Sequence, residues 1–195
     1  MGNNKDNAWI AMFSHTGTEI ATLAERLGRY PDKVITNLTP GSKNISKKLK
    51  DIIFCSNKPS VSDYRRLFTR GDFITLHGWM RIIPGSVCRE NDIYNLHPGL
   101  CTEYPELRGK DPQVRVFEND NTALGGNKDY PKVGCVLHRA EEKVDFGAPI
   151  MQRSTDNHYT GPAHLTEALK DMSADMWEEF INYKLNGVCN ASFVK

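Results

Sequence analysis

The side chains best suited to chemistry in this 195-residue sequence are Asn95 and His97, in Asp92-Ile93-Tyr94-Asn95-Leu96-His97-Pro98, and a lone acid in Val144-Asp145-Phe146-Gly147-Ala148-Pro149-Ile150. An amide donates a hydrogen bond to a developing oxyanion. An imidazole accepts and returns a proton near neutral pH, and a carboxylate orients that imidazole or relays through water. Together these are the parts needed to pass an acyl group from one nitrogen to another. The competing reading is a strand-end histidine that only hydrogen-bonds its own loop.

The elements around these residues are those of an α/β chain. Asp92-Ile93-Tyr94 is strand-like and delivers Asn95 and His97 to a Pro-Gly turn, a common way to present side chains at a strand end. Ala8 to Ser14 is a short apolar run ending at a glycine-containing loop, and it reads as a buried strand. Ile20, Ala21, Leu23, Ala24 and Leu27 have helical spacing. Residues 33–36, 52–54 and 73–76 read as further strands, residues 61–68 as a helix, and residues 133–137 and 149–151 as later strands. Leu165, Leu169, Met172, Met176, Phe180 and Tyr183 define a C-terminal helix closed by Gly187, and that stripe is core rather than a cofactor box. Strands alternating with helices predict one α/β domain over 8–187, with a mostly parallel, Rossmann-like sheet and helices on both faces. Residues 1–7 read as a flexible start and 188–195 as a C-terminal tail. Residues 118–132, rich in Asn, Asp and Gly, read as an exposed insertion.

Composition excludes several classes. A net charge of +1 gives no electrostatic case for nucleic acid or a membrane surface. The polar start has no apolar core, so it reads as neither signal peptide nor anchor, and no apolar run approaches the roughly 20 residues of a membrane span. Five cysteines without a Cys-x-x-Cys pattern suggest reduced thiols and a cytoplasmic protein. The six histidines lack metal-ligand spacing, so no metal is expected.

Five segments in order carry a family resemblance: Ser14-His15-Thr16-Gly17-Thr18, Met80-Arg81-Ile82-Ile83, Asn95-Leu96-His97-Pro98-Gly99-Leu100, Tyr104-Pro105-Glu106-Leu107 and Asp145-x-Gly147-x-Pro149-Ile150. His138, seven residues before Asp145, fits the same pattern. The chain resembles the folate-dependent formyltransferases, most of all the glycinamide ribonucleotide type, over roughly residues 8–185. The resemblance implies the formyltransferase fold and transfer of a formyl group from 10-formyltetrahydrofolate, as co-substrate, to a primary amine. It implies glycinamide ribonucleotide as first acceptor, hence one-carbon and purine nucleotide metabolism, with another amino-nucleotide or an amino-sugar nucleotide close behind. Hydrolysis of 10-formyltetrahydrofolate is the alternative reaction, and a homodimer is left open.

The same resemblance distributes roles. Asn95, His97 and Asp145 would be catalytic. Met80, Arg81, Ile82 and Ile83 would form one wall of the folate pocket, and His138, Glu141 and Val144 the other. Ser14, Gly17, Thr18 and Glu19 would hold the acceptor, in the family through its phosphate at a helix N-terminus. Glu19 is a departure, because a carboxylate repels a phosphate there. Arg108 and Lys110 would meet an anionic part of the acceptor. Ser173, four residues before Trp177, stands where the glycinamide enzymes carry a substrate-binding glutamate.

Overall fold

The computed structural model describes residues 8–118 and 129–187. Residues 1–7 and 188–195, expected to be a flexible start and a tail, and residues 119–128 of the expected insertion lie outside the described residues.

The first strand explains the layering. All five residues of β1 (Trp9–Phe13) are buried. Trp9, Ala11 and Phe13 join one apolar cluster, with Ile20 and Leu23 of α1 (Thr18–Leu27) and Leu169, Met176 and Trp177 of α5 (Pro162–Asn186). Ile10 and Met12 join a second cluster, with Tyr64 of α2 (Val61–Leu67) and Val87 of α3 (Gly85–Glu90). Successive side chains leave a strand on opposite sides, so β1 is covered by helices on both faces and must be apolar throughout.

Among the described residues seven strands form one sheet in the order β3-β2-β1-β4-β5-β6-β7. Here β2 (Lys33–Thr36), β3 (Ile52–Phe54), β4 (Phe73–His77) and β5 (Asp92–His97) run parallel to β1. The last two, β6 (Lys132–Arg139) and β7 (Pro149–Asp156), are antiparallel to their neighbours. The direction of chain order reverses between β1 and β4, so the crevice beyond their carboxyl ends is where such sheets receive ligands.

Local chemistry accounts for most boundaries. Ser60 and Asp63 make a reciprocal capping box that starts α2. Gly187, left-handed at φ 71°, ends α5 by returning its N–H to Tyr183. No α-helix separates β2 from β3. Two short helices, α3 and α4 (Pro112–Arg115), interrupt stretches without helical periodicity, and β7 runs on to Asp156, beyond the expected strand. Among the described residues no helix is long and apolar enough to cross a membrane.

Candidate active site

Asn95 and His97 lie two residues apart on β5 and so share one face, at the strand's carboxyl end. Because β6 runs antiparallel to β5, its His138 falls directly opposite Asn95. The chain then turns through the β6–β7 loop, which is drawn in so tightly that a Cβ on Gly147 would lie 1.6 Å from the Arg139 carbonyl oxygen. This loop returns Asp145 beneath the two β5 side chains. Its backbone is left-handed at φ 57°, a conformation costing a non-glycine residue on the order of 1–2 kcal/mol.

The four side chains form one hydrogen-bonded cluster. Asp145 Oδ2 is 3.1 Å from His97 Nδ1, and Oδ1 is 3.2 Å from His138 Nε2. Asn95 Nδ2 donates to Asp145 Oδ1 at 3.2 Å and lies 3.3 Å from His138 Nε2. The Gly109 N–H donates to Asp145 Oδ2 at 2.8 Å. His97 Nε2 is 2.7 Å from the Leu107 carbonyl oxygen, and His138 Nδ1 is 2.9 Å from that of Arg139. His97, His138 and Asp145 are all buried.

These contacts define a proton store. Both His97 nitrogens face acceptors, the Leu107 carbonyl and the Asp145 carboxylate. With Asp145 ionised, the satisfied form of His97 is therefore the imidazolium. Burial works against that charge and pushes His97 below its ordinary value, with Asp145 and the Leu107 carbonyl opposing the shift. For Asp145 burial acts in the other direction, upward. Hydrogen bonding from His138, the charge of His97 and the Gly109 N–H outweigh it and hold Asp145 below the usual carboxylate range. One proton is thus held between two buried groups, each fixed in place by further hydrogen bonds, His97 by the Leu107 carbonyl and Asp145 by the Gly109 N–H and Asn95. One Asn95 amide hydrogen goes to Asp145 Oδ1; a His138 Nε2 that donates to the same oxygen cannot also accept, so the second amide hydrogen is the one available to a substrate carbonyl.

Above the cluster opens a cavity of about 680 Å³. Its floor includes Asn95, His97, His138 and Asp145, and its walls include residues 80–83, Glu141 and Val144. Met80, Ile82 and Val144 are large apolar side chains left 48%, 67% and 47% exposed around it. An apolar rim above a few convergent polar groups suits a flat heterocycle with one reactive substituent. Arg81 turns its guanidinium away onto Asn57, at 2.6 Å to the carbonyl, and so braces this wall.

The remaining candidates fall into two groups. At the β1–β4 crevice, His15 lines the cavity while Ser14 Oγ accepts the Met80 N–H at 2.9 Å and ties the two strand ends together. Gly17 starts α1 at φ 66°, and its missing Cβ leaves room for Leu49, which would otherwise stand 2.4 Å away. Thr18 Oγ1 pairs with Thr16 Oγ1 at 2.9 Å. The Glu19 carboxylate meets His77 Nδ1 at 2.8 Å, and His77 packs on Trp177. Ser173 is buried 3.4 Å from Cys135 Sγ. In the second group, Lys110 borders the cavity with an exposed ammonium, whereas Arg108 turns inward to Asp145 and Phe146. Sequence reasoning missed the Leu107 carbonyl and the Gly109 N–H, because backbone groups carry no residue signature. Among the described residues no group of three or more His, Cys, Asp or Glu is arranged to hold a metal ion.

A carboxylate, two imidazoles and an amide thus converge at the end of an α/β sheet, an arrangement capable of acid–base chemistry, and comparison with known proteins gives the family. Residues 56–174 match the formyl transferase family, more than half the chain, and the protein belongs to that family. It is 32% identical over 85 residues to the trifunctional purine biosynthetic protein adenosine-3 of Drosophila melanogaster, a match covering 43% of this chain and 5% of that protein. It is 28% identical over 95 residues to phosphoribosylglycinamide formyltransferase of Dictyostelium discoideum, covering 45% of this chain and 42% of that one. Among solved structures, glycinamide ribonucleotide transformylase 1 from Symbiobacterium toebii shares the fold at a TM-score of 0.73 and 19% identity, over 98% of this chain and 96% of that chain.

Proposed function

We propose that this protein transfers the formyl group of 10-formyltetrahydrofolate to a primary amine, with glycinamide ribonucleotide as the first acceptor. The observation that carries the reading is the convergence of Asn95, His97 and Asp145 beneath a cavity walled by residues 80–83 and Val144. The apolar walls would cover the pterin faces, and the main-chain groups of 80–83 would meet its polar edge. The formyl carbon would then sit above Asn95 and His97.

In this reading a bond forms between the acceptor nitrogen and the formyl carbon, and the bond from that carbon to N10 of the folate breaks. One amine proton is lost and one proton reaches N10, so no net proton is consumed. Asn95 donates to the carbonyl oxygen as negative charge develops there, and the His97 imidazolium adds a second, charged donor once Nε2 exchanges the Leu107 carbonyl for it. Asp145 holds the proton inventory constant, taking up charge and hydrogen bonding as His97 gives up and regains its proton. His138 and Asn95 keep the Asp145 carboxylate from turning away.

One assay tests this. Loss of 10-formyltetrahydrofolate is followed with purified protein alone and with glycinamide ribonucleotide, an amino-sugar nucleotide and simple amines. Formyl transfer to glycinamide ribonucleotide at the highest kcat/KM is the expected result. Turnover independent of any amine would make the protein a deformylase, and no turnover at all would remove the reading.

A further inference from the structure

The strip Leu107-Arg108-Gly109 begins at the last residue of a single 3-10 turn (Pro105–Leu107) and continues outside helix and strand, and all three of its residues address the catalytic cluster. The Leu107 carbonyl receives His97 Nε2 at 2.7 Å. Arg108 Nε donates to the Asp145 carbonyl at 3.1 Å, and the Gly109 N–H donates to the Asp145 carboxylate at 2.8 Å. Two groups far apart in the chain therefore take their relative position from one short piece of backbone. Such a loop holds nothing unless it is itself held.

Two arginines hold it. Arg115, at the end of α4, reaches back over the loop and donates to the carbonyls of Glu106 at 2.5 Å, Leu107 at 3.2 Å and Lys110 at 2.7 Å. Its planar fork satisfies three carbonyls that would otherwise compete for water. One of them, the Leu107 oxygen, is the same atom that receives His97, so Arg115 and His97 share an acceptor. On the other side the Arg108 guanidinium lies 4.1 Å from the centre of the Phe146 ring, and Lys143 Nζ lies 3.6 Å from the same ring. Both cations attract the face of this ring and so help hold the loop that carries the left-handed Asp145 backbone next to it.

We infer that Arg108 and Arg115 are positioning residues: through the Leu107–Gly109 strip, Arg115 sets the pose of His97 and Arg108 sets that of Asp145. The inference rests on the proposed transfer reaction for its kinetic consequences but not for its geometry. The charged and titratable groups acting on His97 are Asp145, His138 and Arg115. Arg115 disfavours the imidazolium by its charge, so its loss raises the proton affinity of His97.

Two measurements on the full chain separate the outcomes. The first is titration of the His97 ring by nitrogen NMR without substrate, in the wild type, Arg115→Gln and Arg115→Lys. Gln at 115 moves the His97 midpoint upward, while Lys, which keeps the charge, leaves it near the wild type. The second is steady-state kinetics with both substrates varied. Arg108→Gln lowers kcat by about ten- to a hundredfold with each KM within about threefold, as expected for misplacing a catalytic group by an ångström or less. Arg108→Lys, which keeps a cation for Phe146, recovers part of that loss.

An unshifted His97 in a folded Arg115→Gln protein overturns the assignment of Arg115. A rise in acceptor KM with kcat intact in Arg108→Gln overturns that of Arg108, making it an acceptor-binding residue. Should Gln at 115 unfold the chain, Arg115→Lys carries the test, because loss of the fork alone must lower kcat while His97 titrates as before. A shifted His97 in a protein that formylates no amine leaves the positioning role standing and removes the proposed reaction.

Discussion

Asp145→Asn isolates the charge at the centre of the cluster while preserving its size. The two Asp145 oxygens face different partners: Oδ2 the Gly109 N–H, which can only donate, and Oδ1 the Asn95 amide, which carries both a donor and an acceptor. An asparagine whose NH₂ takes the Oδ2 place sets two donors face to face at Gly109 and forfeits roughly 1–3 kcal/mol, and the opposite orientation keeps its bonds only if the Asn95 amide turns over. The larger effect falls on His97. Burial already pushes His97 down, and the Asp145 carboxylate is the nearby charge that supports its protonated form. Removing the carboxylate therefore lowers the imidazolium population at neutral pH, and positioned proton transfer of this kind is worth about a hundred- to ten-thousandfold in rate. The expected outcome is a matching fall in kcat for formyl transfer. KM for 10-formyltetrahydrofolate should stay within a few fold, because residues 80–83 and Val144 are untouched. The assay is kcat and kcat/KM across pH 5.5–9 on protein shown by circular dichroism to be folded, alongside titration of His97. A variant keeping more than about a third of wild-type kcat refutes the argument, as does a His97 midpoint that rises instead of falling.

Four shorter predictions follow from the same geometry. Asn95→Ala removes the amide that the proposed mechanism turns to the developing oxyanion and lowers kcat by about a hundred- to a thousandfold with donor KM nearly constant; a loss confined to KM would assign Asn95 to binding. Stability falls in acid in two windows. His97, depressed in the folded chain below its ordinary 6.5, leaves the unfolded chain to bind that proton first, so stability declines as pH falls below 6.5 until the folded value is passed. Asp145, depressed below its ordinary 3.8, contributes stability that is present above 3.8 and lost as pH falls through its folded value. Urea midpoints from pH 8 to 3 read both, and a His97→Gln protein with an unaltered slope between pH 7 and 5 contradicts the first. Ile82→Asp places a charge on an apolar wall and raises donor KM at least about tenfold with kcat retained; amide exchange should show residues 80–83 and 138–145 protected by the folate in the wild type. Glu19→Gln removes a negative charge from the first turn of α1, so a phosphate-bearing acceptor should bind several-fold more tightly. Equal KM values in the two proteins would show that no acceptor phosphate rests at that turn.

Much of this architecture was legible in local sequence, for a physical reason. Trp9–Phe13 is apolar without alternation because both faces are covered, and α1 and α5 announce themselves by the 3.6-residue period of Ile20, Leu23 and Leu27 or of Leu165, Leu169 and Met176. α3 was invisible: six residues burying Gly85, Val87 and Cys88 are too few to establish a period. The end of β7 was hidden for the opposite reason. It is an edge strand whose Arg153, Ser154, Thr155 and Asp156 are polar, and only pairing with β6 makes them a strand.

At the site the division is sharper. Asn95 and His97 share a face by the two-residue period of a strand, which any reader of the sequence can count. That Asp145 meets them depends on β6 and β7 running antiparallel, a non-local pairing that no short pattern specifies. The direction of Arg108 was decided by tertiary structure alone. Its charge suggests an anionic ligand, but its guanidinium donates to the Asp145 carbonyl and lies over the Phe146 ring. The acceptors and donors that complete the proton store, the Leu107 carbonyl and the Gly109 N–H, belong to the main chain, which is chemically the same at every residue except proline. Sequence determines which side chains are capable of acid–base chemistry; only the folded backbone decides which carbonyl and which amide hold them in place.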